Sequence, residues 1–388
     1  MNGMPGVDPG IRRDDSKGQE RRPELCHAGL DPASTSGDRV MREDRSTFAF
    51  TGSGEDLRRH LRRDRLVNLL LGGLYTPVVR RRQARYLASN TALDGTSVQW
   101  TDVPRSRLPA LLLLLLFVGL RVAGEFGEGP PMPLVIAGGV LMLPYLWAVS
   151  AARSLDALSW RGMHLRFTAT WPAIYRASWP LFALGLPWAV AQPWVTAKLQ
   201  GAAPDLRWLW PISAVALVAY PLLVRQGYEW HRLRVSAATV DGHAVRSPTG
   251  FGPYLRQWLA TTALVLVTAV APVLLLRHLL GIALTPADPN DVASLAVPLV
   301  AAMIAFLLST PARAWHEARM FRLWWDGARV GGLARIECRL DAAAFTRLRT
   351  PATARALLTL GRSRSEAAVA AWRMKLDSLT VGLEGPPR

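Results

Sequence analysis

Half of the 388 residues are apolar and only 19% are charged, a balance that fits a membrane protein and sits poorly with a soluble enzyme. The formal net charge of +17 comes almost wholly from arginine, since Lys17, Lys198 and Lys375 are the only lysines. Two cysteines, Cys26 and Cys338, stand far apart and exclude both a disulfide framework and cysteine-rich metal spacing.

In chain order, residues 1–46 come first. They are rich in Gly, Pro, Asp, Arg and Ser, lack apolar periodicity and read as a disordered tail. "MPGVDPG" (4–10) echoes "HAGLDPA" (27–33), which points to accidental translated repeat matter and to Met41 as the biological start. No basic–apolar–small leader pattern is present. The stretch 66–79, "LVNLLLGGLYTPVV", is apolar but about 21 Å long as a helix. It is flanked on both sides by arginine clusters, so an interfacial or re-entrant helix is expected there.

A spanning helix needs about 20 apolar residues. Six segments qualify: 108–124, 133–150, 179–197, 208–225, 259–280 and 292–310. The fold class expected is therefore an all-α polytopic membrane protein, with about six transmembrane helices in three hairpins and short cytoplasmic β-hairpin elements. The loops inside the hairpins (125–131, 198–207, 285–291) are poor in positive charge. The segments between hairpins carry Arg153, Arg161, Arg166 and Arg176, then Arg225, Arg232, Arg234, Arg246 and Arg256. After the last span come Arg313, Arg319 and Arg322. By the positive-inside rule these face the cytoplasm, with both termini, which implies a multi-pass membrane protein.

A phrase recurs on that side. "RYLASNTALDG" (85–95) returns as "RLRVSAATVDG" (232–242), as the shorter "RSLDALSWRG" (153–162) and, loosely, as "RLWWDGARVGG" (322–332). Each reads as a helix end with an arginine, then a turn and a short alternating strand. Asp94-Gly95 and Asp241-Gly242 carry the strongest short hairpin signal, and Gly162 and Gly332 hold the corresponding places. "FAFTGSG" (48–54) looks like the tail of such a unit without its head. The expected organisation is a three-fold repeated hairpin unit with a terminal half-unit over 47–340, then a cytoplasmic amphipathic region at 341–388.

These residues carry a resemblance. "FAFTGSGEDL" followed by "LVNLLLGGLYTPVVRRRQARYLASNTALDG" resembles the YjgN-like family of bacterial inner-membrane proteins, a domain of unknown function. Phe48, Phe50 and Gly52 match its Phe-x-Phe-x-Gly start. Tyr75 and Pro77 match its Tyr-x-Pro, and Arg85, Tyr86 and Gly95 its Arg-x-Arg-Tyr and closing glycine. Val78 stands where the pattern has tryptophan. "WRGMHLRFTATWPAIY" (160–175) is similar to the second unit, and the resemblance covers about residues 48–340. It implies an integral inner-membrane protein and supplies no activity.

Catalytic motifs are missing: no phosphate-cradling Gly-x-x-x-x-Gly-Lys-Ser/Thr, no Gly-x-Ser-x-Gly, no His-Glu-x-x-His. The histidines are scattered, so no metal or cofactor is expected, and "WHEAR" (315–319) reads as an interfacial helix start. Arg121 and Arg277 lie near span ends, where snorkelling suffices. The arginines that open the repeated phrase, Arg85, Arg153, Arg232 and Arg322, are the candidate contacts for anionic lipid headgroups or a partner; juxtamembrane cations contribute about 1 kcal/mol each there. Nucleic acid is disfavoured because the charge sits beside spans. The expected function is non-enzymatic engagement of anionic lipid or a partner. The alternative is a facilitative transporter or channel for a small solute, and a lipid-modifying enzyme ranks third. "SRSEAAVAAWRMKLDSLTV" (363–381) reads as an amphipathic helix with a capping box at Ser363 and Glu366.

Overall fold

A computed structural model describes residues 45–71, 75–102, 106–125, 131–201, 209–281, 292–359 and 361–383. The tail and Met41, and most of the three expected hairpin loops, lie outside the described residues.

The chain opens with β1 (Arg45–Phe50), α1 (Gly54–Leu70) and α2 (Thr76–Ser89). The apolar stretch 66–79 is thus divided between the end of α1 and the start of α2 rather than forming one helix. Next come β2 (Thr91–Leu93), β3 (Thr96–Ser97), β4 (Gln99–Trp100), α3 (Leu108–Glu125) and α4 (Pro131–Asp156). A second hairpin, β5 (Leu158–Trp160) and β6 (Met163–Phe167), leads to α5 (Trp171–Ala177), α6 (Trp179–Gly201) and α7 (Leu209–Ser236). A third, β7 (Ala238–Val240) and β8 (His243–Arg246), leads to α8 (Phe251–Val265), a π-helical turn (Leu266–Val270), α9 (Ala271–Leu280), α10 (Val292–Leu308) and α11 (Thr310–Trp325). The last hairpin, β9 (Ala328–Val330) and β10 (Ala334–Cys338), is followed by α12 (Ala342–Leu358), α13 (Arg364–Asp377) and β11 (Leu379–Leu383).

Local chemistry accounts for the breaks. Prolines near the first helical position start α2, α5 and α11, where a missing N–H costs nothing. Asp341 caps α12 by accepting the Ala343 N–H at 2.9 Å, and Ser53 Oγ accepts the Asp56 N–H at the start of α1 (3.0 Å). Ser363 occupies the cap position of α13, but its side chain makes no capping bond. Three two-residue turns place both central residues at positive φ: Asp94 and Gly95 (52° and 71°), Arg161 and Gly162 (50° and 80°), Asp241 and Gly242 (49° and 85°). That is the type I′ geometry whose twist matches a hairpin. In the fourth hairpin Gly331, not Gly332, takes the positive φ (55°).

The expectation of an all-α protein with isolated hairpin elements does not hold. All eleven strands join one antiparallel sheet, in the order β3-β2-β1-β11-β10-β9-β8-β7-β6-β5-β4. The two ends of that order, β3 and β4, are separated only by Val98, so the sheet is a nearly closed, barrel-like ring. Val98 N–H donates to Thr91 O at 2.8 Å, extending the β2–β3 pairing up to the start of β4. Strands of two to six residues gain little individually; pairing between hairpins distant in sequence is what stabilises them. The count of six spans is also corrected. Among the described residues three helices are long and apolar enough to cross a membrane: Leu108–Glu125, Pro131–Asp156 and the bulged Phe251–Leu279. Ala296–Leu308 with Thr310–Trp325 qualifies as a fourth only as a pair bent by 44°. In α6 the tryptophans, prolines and Gln192 dilute the apolar run.

One face of the sheet is apolar and carries the main core. Phe50, Ala328, Ile336, Leu379 and Val381 pack with Leu57 and Leu61 of α1, Phe345 of α12 and Leu376 of α13. Phe345 and Leu57 are fully buried, worth about 1.5–3 kcal/mol each. The C-terminal helix is therefore a core element, and its strand β11 sits between β1 and β10. A second, aromatic cluster joins Val224, Tyr228, Tyr254 and Trp324.

Candidate functional site

The repeated phrase becomes a fixed piece of geometry. Arg85, Arg232 and Arg322 each stand six residues before the first residue of a strand, and Arg153 stands five before. Arg373 has the same six-residue offset from β11, so the C-terminus carries a fifth copy, "RMKLDSLTVGL" (373–383). Its partner strand is β1, which pairs with β11 from the other end of the chain (Ser46↔Val381, Thr47↔Thr380).

The helices that leave the strands share a second pattern. In α1, α5, α8 and α12 the fourth residue is buried (Leu57, Ile174, Tyr254, Phe345) and the sixth is an arginine (Arg59, Arg176, Arg256, Arg347). At 100° per residue those positions point to opposite sides of the helix, so burying the first presents the second outward.

The four arginines expected to act alike differ in what they meet. Arg85 donates to Asp102 Oδ2 at 3.0 Å, and Arg81 donates to the other carboxylate oxygen at 3.2 Å. A carboxylate thus sits between two guanidiniums at a cavity of about 380 Å³. Arg153 donates to Ser106 O at 2.9 Å. Arg232 and Arg322 instead line open cavities. One, of about 360 Å³, lies between the start of α8 and the end of α11, with Pro253, Arg256 and Gln257 facing Arg319, Arg322 and Asp326. The other, of about 420 Å³, lies between α5 and the end of α7, with Ala173, Arg176 and Ala177 facing Glu229, Arg232 and Ser236. Several lining positions correspond: Arg256 with Arg176, Arg322 with Arg232, Leu323 with Leu233 and Asp326 with Ser236, whereas Arg319 has its counterpart in Glu229, which is paired with Arg225. Asp326 touches Arg322 only at 3.9 Å. Each cavity therefore keeps an excess of positive charge. The structure brings no two of Arg85, Arg153, Arg232 and Arg322 into contact among the described residues; it places each at its own junction.

The turn residues serve the scaffold. Asp94 Oδ2 accepts from Arg161 at 2.7 Å, latching the first turn to the second, while the Arg161 guanidinium lies over the Trp160 ring (4.7 Å). That contact accounts for an arginine at positive φ. Gly95, Gly162 and Gly242 hold the left-handed turn positions, Asp241 N–H donates to His164 O (3.3 Å), and Gly332 is an exposed loop residue.

With residues 45–387, nearly the whole chain, matching the family described as a bacterial protein of unknown function (DUF898), the affiliation is decided. The chain belongs to the YjgN family. Comparison with the curated proteins and with the solved structures finds no match.

Sequence reading of this YjgN-family chain counts Arg176 and Arg256 among the cytoplasmic arginines but does not single them out as contacts, although each is the second arginine of an open cavity. The signal was present: "TWPAIYR" (170–176) and "GFGPYLR" (250–256) both place an aromatic after the cap, a proline, an apolar residue at the fourth helical position and arginine at the sixth. A fourth, larger cavity of about 1060 Å³ lies among α8, the π-helical turn, α11, α12 and α13. Among the described residues no group of three or more His, Cys, Asp or Glu side chains is placed to hold a metal ion.

Proposed function

We propose that this family member is a non-enzymatic protein of the bacterial inner membrane that holds anionic phospholipid headgroups at the junctions between repeated helix–hairpin units. In this reading α3, α4 and the α8–α9 helix lie in the bilayer, and the sheet and its arginines face the anionic cytoplasmic leaflet with both termini. The units derive from one duplicated element, with the copy that combines β11 and β1 divided between the chain ends.

One observation carries the reading. The same cavity recurs at two junctions, each time between an arginine entering a hairpin and an arginine leaving the preceding one (Arg232 with Arg176, Arg322 with Arg256). At the first unit the corresponding arginine already holds an anion, the Asp102 carboxylate. Guanidinium forks bind carboxylate and phosphate by the same bidentate geometry, so a phosphodiester suits the open pair.

The test is thermal unfolding of the purified chain with phosphatidylglycerol or phosphatidylcholine added. A site at 100 times its dissociation constant adds about 2.7 kcal/mol. Phosphatidylglycerol is expected to raise the midpoint, and the Arg176→Ala/Arg232→Ala/Arg256→Ala/Arg322→Ala variant to lose that rise. Equal stabilisation by phosphatidylcholine, or an undiminished rise in the variant, defeats the reading. Inorganic phosphate as a further ligand separates a soluble anion from a lipid headgroup, and saturable solute flux in liposomes without lipid dependence would point to transport instead.

A further inference from the structure

We infer that the largest of these four cavities is a separate site for one anionic amphiphile, an acyl chain ending in a carboxylate or phosphate. It rests on the membrane reading above but not on the junction arginines, none of which lines it. Its volume of about 1060 Å³ is at the upper end for small-molecule sites. Leu266, Phe306 and Leu357 supply an apolar wall, and all three are exposed rather than packed away. Leu266 opens the π-helical turn, a widening of the backbone often found at functional positions.

The polar part of the lining is selective about charge. Glu317 is already neutralised, by Lys375 Nζ at 2.6 Å and Arg349 Nε at 3.6 Å. Arg313 and Arg364 are exposed and have no carboxylate partner among the described residues. The Arg313 guanidinium lies 4.1 Å from the Phe306 ring centre, so cation and apolar wall are side by side. That is the arrangement an amphiphile presents in mirror image: a chain, and an anion at its end. A neutral lipid would leave both guanidiniums without a counter-charge, and a small hydrophilic anion would leave the apolar wall uncovered.

A photoreactive, clickable analogue of oleate tests this on the purified full chain. Crosslinks are expected in residues 258–266, 306–317 and 349–367. Excess oleate or lysophosphatidate should compete them away and oleyl alcohol should not; the more effective competitor tells a carboxylate head from a phosphate one. Arg313→Ala/Arg364→Ala should reduce labelling at least ten-fold with an unchanged melting midpoint. Leu266→Trp, which fills the cavity and keeps the arginines, should block it as well. Crosslinks spread over all lipid-facing helices, or equal competition by oleyl alcohol, overturn the proposal. The four junction arginine variants should label normally, so lost phosphatidylglycerol stabilisation with intact labelling separates the two sites.

Discussion

At the scale of single residues, what distinguishes two arginines in the same sequence frame is the supply of acceptors around them. Arg85 and Arg153 are satisfied by Asp102 and by the Ser106 carbonyl; Arg232 and Arg322 are left facing cavities. The Arg85–Asp102 pair is exposed on both sides, so it contributes about 0–1 kcal/mol, and its role is occupancy rather than stability. His231 behaves differently. It lies against Trp324, ring centres 3.9 Å apart, and burial, helped by the Arg234 charge, lowers its pKa to about 4. Between pH 6.5 and 4 the unfolded chain takes up a proton there that the folded chain refuses, so stability falls as pH drops through that window. Above pH 6.5 the group adds no pH dependence. A melting series from pH 7 to 5 should fall more steeply for the natural chain than for His231→Phe, which keeps the ring contact; parallel slopes would contradict this.

At the scale of elements, the sheet carries a built-in electrostatic cost. Arg246, Arg329 and Arg335 are direct cross-strand neighbours on β8, β9 and β10. All three are exposed and without ion-pair partners among the described residues, because nearby Glu337 is taken by Arg339 at 3.3 Å. Like charges directly opposite destabilise a sheet by about 0.2–1 kcal/mol per pair. Arg329→Thr should therefore raise the melting midpoint, most at low salt, and an unchanged or lowered midpoint would contradict the repulsion. The hairpins themselves were legible in the sequence, because Asp-Gly turns and alternating residues are local signals. The sheet was not legible, because its closing pairs join β1 to β11 and β6 to β7 across long stretches of chain. "FAFTGSG" reads as a tail without a head for that reason: its head is the C-terminal strand. The second arginine of each cavity was not picked out as a contact because it belongs to the following helix rather than to the repeated phrase.

For the whole molecule, these pairings make the first and last strands part of the core. β11 is hydrogen-bonded to β1 and β10 on its two sides, and Leu379 and Val381 are buried in the main cluster. Ending the chain after Ser378 removes two buried aliphatic side chains, each worth about 1.5–3 kcal/mol, together with the strand linking β1 to β10. Such a chain should lose its cooperative melting transition, whereas one ending after Leu383 should keep it. The three apolar helices and the junction arginines combine into the account proposed above, in which junctions between successive units act as anion sites, filled internally at the first and open at two others. Native mass spectrometry of the chain released from phosphatidylglycerol-containing nanodiscs tests that most directly. The account predicts two tightly retained phosphatidylglycerol molecules, one lost in Arg176→Ala/Arg232→Ala and the other in Arg256→Ala/Arg322→Ala. Retention that ignores both pairs of substitutions, or that accepts phosphatidylcholine equally, would contradict it.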